Sequence, residues 1–454
     1  MTKKFLAIDL GASSGRAVVG WEENGKVVTE EIHRFTNDPV TVGDTMYWDV
    51  LRLFHEIKQS IIKAKKYPDL ESIGIDTWGV DFGLVGADGR LLENPVHYRD
   101  KRTKGMARKC ADDISLEELY KLTGIQIMDI NTVFQLRSLA DQRPQLLDRT
   151  AKILMMPDLL SYFLSDRVYT ELSMASTTQM LDAVTNQWSA DVLNKMNIPP
   201  RLLPMVIMPG TVVGELRPEI CKELGVKPLK VVAVCGHDTQ CAMAAAEPAS
   251  GGDFAFLSCG TWCLLGTQLE KPVLSDQSLL MAFTNEKGYG GKTSYLKNLT
   301  GLWLIQESRR YWAKNGREYS FADMEAMARE AQPKRFLIDT DDPSLAAPGD
   351  LPNRIALLCQ MRGQGKPADD GEIIRCIYDS LAAKFAKTLA ELESCTGKTF
   401  EKLIIVGGGT KDSLLCELIA EASGKQVVKG SSEATALGNI KIQINALKEN
   451  KANA

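Results

Sequence analysis

Residues 5–20 read FLAIDLGASSGRAVVG. An apolar run ends in Asp9, small and hydroxyl residues follow, and Arg16 leads into a second apolar run. The pattern predicts a β-hairpin, with strands over Phe5–Ile8 and Ala17–Trp21 and a turn at Gly11–Gly15. Glycine lets the backbone approach a ligand closely, and successive N–H groups with the Ser13 and Ser14 hydroxyls can cradle phosphate oxygens. Arg16 adds positive charge, and Asp9 offers Mg²⁺ a hard oxygen ligand. The stretch is not a Walker loop: the Gly-Lys-Ser/Thr ending is missing, and a strand follows instead of a helix. Taken alone it reads equally well as an ordinary polar hairpin.

Working outward, Lys26–Phe35 reads as a third strand. A helix from an Asp49 cap to Lys66 follows, with Val50, Leu53, Phe54, Ile57 and Ile61 on one face. The next strand lies in ESIGIDTWGV (71–80), giving the order βββαβ. The pattern begins again in GDFAFLSCGTWCLLGTQL (252–269), a second hairpin with a Ser-Cys-Gly-Thr turn. A helix over Ile373–Leu392, a strand Leu403–Val406, the run Gly407–Gly409, a helix from about Asp412 to Ser423 and a strand Gln426–Val428 complete the repeat. The chain therefore reads as an internal duplication, divided within residues 245–252 into residues 1–247 and 248–454. The closing KENKANA (448–454) is expected to fray.

The 454 residues are 44% hydrophobic and 25% charged, with a net charge of −4. That balance predicts a globular protein that does not recruit nucleic acid or an anionic membrane. No apolar run is long enough for a membrane helix, and an aspartate arrives too early for a secretory leader, so a cytoplasmic location is expected. Ten cysteines occur without a CxxC pair, and there are only four histidines, which argues against a zinc cluster. Cys259 and Cys263 read as strand positions flanking a turn. Cys359 and Cys376 bracket a Gly/Pro-rich loop and read as free thiols that could meet in space.

Other segments deliver polar turns from apolar strands. Ser258–Thr261 is the counterpart of the first turn. Val406–Gly409 opens a helix, where small residues favour an anion or a ring, or simply a tight turn. Gly236-His237-Asp238-Thr239 places a carboxylate beside a histidine at a strand end, a general base or a helix cap. Asp76, Thr77, Trp78, Gly79 and Asp81 interleave aromatic and carboxylate groups in a way that suits a sugar. Arg99 and Asp100 read as an ion pair or a pocket wall.

With DLGASSGR (9–16), IGIDTWGVDFG (73–83), NPVHYRD (94–100), MPDLLSY (156–162), GHD (236–238), SCGTW (258–262), LKNLTGLWLIQ (296–306), VGGGTKDSLL (406–415) and EATALGN (433–439), the chain resembles the FGGY carbohydrate kinases over nearly its whole length. Within that family it is most similar to members acting on L-rhamnulose. The resemblance implies an α/β fold of two duplicated ribonuclease H-like domains, of actin-like ATPase type, with a cleft between them. The first would hold the sugar, one phosphate loop and the catalytic aspartate; the second would hold the other phosphate loop and the adenosine. Ala12, Ser13, Ser14, Gly15, Arg16, Thr261, Gln306 and Gly408 would line the ATP site. Gly79, His237, Asp238, Thr239 and Asn298 would contact the ketose, with Asp238 the catalytic base and Asp9 holding Mg²⁺. Cysteines at 235 and 259 stand where smaller residues are usual in the family, which implies sensitivity to oxidation.

The implied reaction is phosphorylation of the L-rhamnulose C1 hydroxyl by ATP. The alternatives are a kinase for another ketose or polyol, such as L-fuculose or D-xylulose, and a non-catalytic actin-like nucleotide switch. A monomer or small homo-oligomer, without nucleic-acid or membrane partners, is expected.

Overall fold

The computed structural model describes residues 2–246 and 253–452, without the side chains of 449–452. The expected domain boundary at 247/248 lies outside these residues. The chain forms two compact units: Met1–Ala245 with Leu269–Tyr295 and Ala434–Ala454, and Ala246–Gln268 with Leu296–Glu433.

In the first unit, β1 (Lys4–Leu10) and β2 (Ser14–Glu23) form the predicted hairpin, with Asp9 opposite Arg16 and Leu10 opposite Gly15. β3 (Lys26–Thr36) adds antiparallel to β2. The chain then crosses through α1 (Val50–Lys63), where Asp49 caps the Arg52 N–H at 3.1 Å. Leu53, Ile57 and Ile61 are buried on one face of α1, each worth about 1.5–3 kcal/mol. β4 (Leu70–Thr77) lies parallel to β1 and sets Asp76 beside Asp9. β5 (Thr211–Glu215) and β6 (Lys230–Ala233) complete a sheet of order β5-β6-β4-β1-β2-β3. Between β4 and β5, a separate apolar core forms around Phe82, Leu84, Phe134, Leu154's neighbours Ile153 and Met155, and Met180.

The C-terminal helix, Ala434–Ala452, closes one face of this sheet. Ile440, Ile444 and Leu447 pack on Phe5 and Ala7, while Ile442 and Ala446 join Val232, Val234 and Cys241. A Cβ on Gly438 would sit 1.8 Å from the Cys241 carbonyl oxygen, so only glycine permits this approach. Asn439 Nδ2 donates to Asp76 Oδ2 at 2.6 Å, and Gln443 Nε2 donates to the Leu6 carbonyl at 3.0 Å. The tail expected to fray is helical to Ala452, and residues 453 and 454 lie outside the described range.

The second unit repeats the central motif. β7 (Ala255–Cys259) and β8 (Trp262–Leu269) form a hairpin with Cys259 opposite Cys263. β9 (Thr293–Thr300), β10 (Lys402–Val406) and β11 (Gln426–Lys429) extend it in the order β9-β8-β7-β10-β11. β10 is parallel to β7, as β4 is to β1. α3 (Trp303–Lys314), α4 (Asp370–Thr396) and α5 (Ser413–Ser423) carry the apolar faces that cover it, with Ile377, Phe385, Leu389 and Ile419 buried. Cys359 and Cys376 do meet, as buried free thiols with sulfurs 3.8 Å apart. No helix among the described residues is long and apolar enough to cross a membrane.

Candidate active site

The first turn is closed by the Gly11 N–H donating to the Ser14 carbonyl at 2.9 Å, and Asn37 braces it from both sides. The amides of Ala12 and Ser13 and the hydroxyls of Ser13 and Ser14 have no protein partner among the described residues. That leaves a small concave set of donors suited to phosphate oxygens. Arg16 holds Asp9 Oδ2 through Nε at 2.8 Å and a terminal nitrogen at 2.6 Å. Gly15 is buried beneath the Phe35 ring, which accounts for its missing side chain.

Asp76 is fully buried next to Asp9. Burial and then the Asp9 charge push its carboxyl well above the usual range, against the Asn439 hydrogen bond. Its Oδ1 has no hydrogen-bond partner among the described residues.

β6 delivers the Gly236–Asp238 turn to the same sheet edge: the Thr77 N–H donates to the Gly236 carbonyl at 2.8 Å. Glu171 fixes this turn. Its Oε2 accepts from the Gly236 N–H at 2.9 Å and from the Ser173 hydroxyl at 2.5 Å, and Ser173 Oγ in turn accepts from the His237 N–H. Asp238 opens α2 (Asp238–Ala246). Its Oδ1 accepts from the Thr239 N–H at 2.6 Å and the Thr239 hydroxyl at 3.2 Å, and faces His237 Nε2 at 3.5 Å. Oδ2 accepts nothing among the described residues, and the side chain is 29% exposed. One oxygen is thus committed and one is open. Burial raises the Asp238 pKa, His237 lowers it, and Asp9 raises it again, with a net shift upward.

Two groups matter here that the sequence did not signal. Glu171 lies 65 residues from Gly236, in the turn it holds. Glu286, 3.0 Å from His237 Nδ1, sits in Thr284–Lys287, a buried strand of four polar residues. Asn439 was signalled only as part of the EATALGN match.

The sugar reading of Asp81 is corrected. Its Oδ2 accepts from Trp48 Nε1 at 2.6 Å, Trp78 Nε1 at 3.0 Å and the Tyr98 N–H at 3.1 Å, while Gln135 holds Oδ1 at 3.0 Å. Fully enclosed, with burial pushing its carboxyl up to about 6, Asp81 locks an aromatic cluster and does not face a ligand. Gly79, one turn away, is half-buried against Thr177. Asp100 accepts from the Met46 and Arg102 N–H groups, a structural task.

In the second unit, Thr261 Oγ1 donates to Gln306 Oε1 at 3.1 Å, and the Leu302 N–H donates to the Gly260 carbonyl at 2.8 Å. This seats the start of α3 on the turn. Gly407 has φ of +84°, and a Cβ on Gly409 would lie 2.3 Å from Cys259 Sγ, so β10 ends hard against the same turn. Two of the predicted nucleotide residues, Thr261 and Gln306, are bonded in this way, and a Cβ on Gly408 would lie 4.0 Å from the Cys259 carbonyl oxygen. The amides of Thr261 and Gly408 have no protein partner among the described residues, and Gly408 is exposed. The glycine run leads into a 3₁₀ turn, Gly408–Lys411, and Asp412 caps α5, so the glycines precede the helix instead of opening it. Asn298 is half-buried on β9.

An antiparallel hairpin flanked by parallel strands, occurring once in each unit, defines an actin-like ATPase fold of the sugar-kinase type. The solved structures agree. A ligand-bound xylulose kinase from Lactobacillus acidophilus matches with a TM-score of 0.82 at 17% identity, covering 99% of this chain and 90% of that one. Plasmodium falciparum glycerol kinase with ADP matches at 0.78 and 16%, with the same coverage. Residues 4–245 match the N-terminal domain and 255–447 the C-terminal domain of the FGGY family of carbohydrate kinases. The chain belongs to that family and is a carbohydrate kinase. Among its relatives, a rhamnulokinase of Bacteroides thetaiotaomicron is 39% identical, covering 98% of this chain and 90% of that protein. One of Oceanobacillus iheyensis is 36% identical, covering 97% and 93%.

Proposed function

We propose that the protein transfers the γ-phosphoryl group of ATP to the C1 hydroxyl of L-rhamnulose, with Asp238 as general base. The similarity to rhamnulokinases over nearly the whole chain supports the substrate. The observation that carries the mechanism is the divided Asp238 carboxylate, with Oδ1 held by Thr239 and Oδ2 open. Positioning and electrostatics do most of the work in phosphoryl transfer. The open oxygen accepts the hydroxyl proton as the sugar oxygen bonds to phosphorus. An alcohol is far less acidic than a carboxylic acid, so the proton moves late. His237, Thr239, Gly79 and Asn298 contact the ketose. The free amides of Ala12, Ser13, Thr261 and Gly408, together with Ser14, Gly15, Arg16 and Gln306, hold the nucleotide.

The donor set fits Mg²⁺. Asp9 and Asp76 lie side by side, and a buried oxygen of Asp76 is unpartnered among the described residues. No three His, Cys, Asp or Glu side chains converge on a metal position among these residues, in keeping with an ion held mainly by phosphates and water. Asp9 would hold it; bound, it neutralises phosphate charge.

ADP release measured with L-rhamnulose, L-fuculose, D-xylulose, L-ribulose and glycerol tests the reading. Highest kcat/KM for L-rhamnulose is expected, and a higher value for another acceptor overturns the substrate assignment. Cytoplasmic location is part of the same proposal.

A further inference from the structure

Thr284–Lys287 is a strand of four polar residues, all buried. From it Glu286 reaches the site. Its Oε2 lies 3.0 Å from His237 Nδ1, and the opposite ring nitrogen faces Asp238 at 3.5 Å. Nδ1 makes no well-aligned hydrogen bond among the described residues, and with the ring protonated its contact with Glu286 is an ion pair. Gln240 Nε2 donates to the same Oε2 at 2.9 Å. The Ser294 hydroxyl donates to Gln240 Oε1 at 2.5 Å and so fixes which end of the amide faces Glu286. Gln240 and Ser294 are fully buried, Glu286 is 5% exposed and His237 9%. This is a built arrangement: a serine orients an amide, the amide orients a carboxylate, and the carboxylate lies against an imidazole.

Taking Asp238 as the base, we propose that Glu286 is a positioning residue. It keeps His237 doubly protonated, so that an imidazolium lies against Asp238 and holds that carboxylate ionised until the substrate proton arrives. A neutral imidazole has one N–H donor and could serve only one of the two carboxylates. With both nitrogens protonated, one ring serves Glu286 and Asp238 together.

The charged groups facing the ring are Glu286 from its strand, Asp238 from the ring's own turn, and Glu171 ahead of the helix Leu172–Thr177. Burial disfavours the imidazolium. Glu286 and then Asp238 and Glu171 outweigh it, pushing His237 up to about 9. In the other direction, His237 lowers the Asp238 pKa that burial raises.

The chain has only four histidines, so imidazole NMR signals of the full-length labelled protein are few enough to follow, and a His237→Gln sample identifies the one of interest. In the wild type the His237 ring remains charged through neutral pH. In Glu286→Gln its titration falls by about two units, towards the ordinary histidine value. Glu286→Asp, which keeps the charge, retains the high titration. The KM for ATP stays unchanged.

A wild-type His237 that titrates near the ordinary value, or a Glu286→Gln protein whose His237 titration does not move, overturns the proposal. The wild-type titration decides even if the variant fails to fold. If His237 behaves as expected but Asp238→Asn retains full turnover, the assignment of the base fails while the ionic pairing stands.

Discussion

The two hairpin turns share a backbone plan and differ in chemistry. In the first unit the turn carries Asp9 and Arg16, with Asp76 on the parallel neighbour. In the second, the equivalent strand ends are Cys259 and Cys263, opposite one another, with Thr261, Gln306 and close-packed glycines around them. Both leave backbone amides open. The first also concentrates charge, and the second presents small neutral groups that admit close approach. On the proposed function, duplicated frames divide labour by their side chains alone: one half would supply the groups that move or neutralise charge, and the other would supply contact.

The comparison breaks most visibly at Asp238. Asp238→Asn is expected to lower kcat by about 10²–10⁴-fold while ADP affinity, measured by calorimetry, is retained. Retained turnover would remove the charged unit's claim to the chemistry. With Asp238 as the proposed base, the acid limb of the wild-type profile should belong to the same carboxylate. Its pKa is raised, and the base must be ionised, so activity should fall with falling pH above the ordinary carboxylate range. A limb at or below that range contradicts this.

Asp9→Asn tests the charge of the first turn itself. Affinity for Mg²⁺ should weaken on the order of tenfold to a hundredfold, with recovery of rate in excess Mg²⁺. In the second turn, Gly409→Ala places a carbon within 2.3 Å of Cys259 Sγ. A loss of about 1–3 kcal/mol is expected in thermal unfolding, with a raised KM for ATP and little change in the pH profile. The smallest effect belongs to Thr261→Val, which removes the bond to Gln306 and should cost about 0.5–1.5 kcal/mol of ATP affinity. If Gly409→Ala or Thr261→Val shifted the acid limb, the division of labour would fail.

Much of this frame was legible because it is local. Alternating strands, turn glycines and an Asp49 cap are written within a few residues of one another, and Leu53, Ile57 and Ile61 give the helical period directly. Asp81 misled because two of its partners, Trp48 and Gln135, lie 33 and 54 residues away, so a carboxylate that locks a core looked like one that greets a sugar. Glu171 and Glu286 were invisible for the same reason. They act across 65 residues to Gly236 and, for Glu286, 46 residues to Gln240, and nothing in their own neighbourhoods marks them.

The C-terminal helix has a consequence for biosynthesis. Gln443 bonds to Leu6 across 437 positions, and Asn439 to Asp76 across 363. When the ribosome has finished the sixth strand of the first sheet, the helix that covers that sheet does not yet exist. At ordinary translation speeds the wait is about 10–40 s, far longer than a sheet needs to collapse. For that interval Phe5 and Ala7 lack their helical cover and Asp76 lacks its amide, so apolar strand surface stays exposed on the nascent first unit. The edge that carries Asp76 is completed only after the helix that supplies Asn439 has been made.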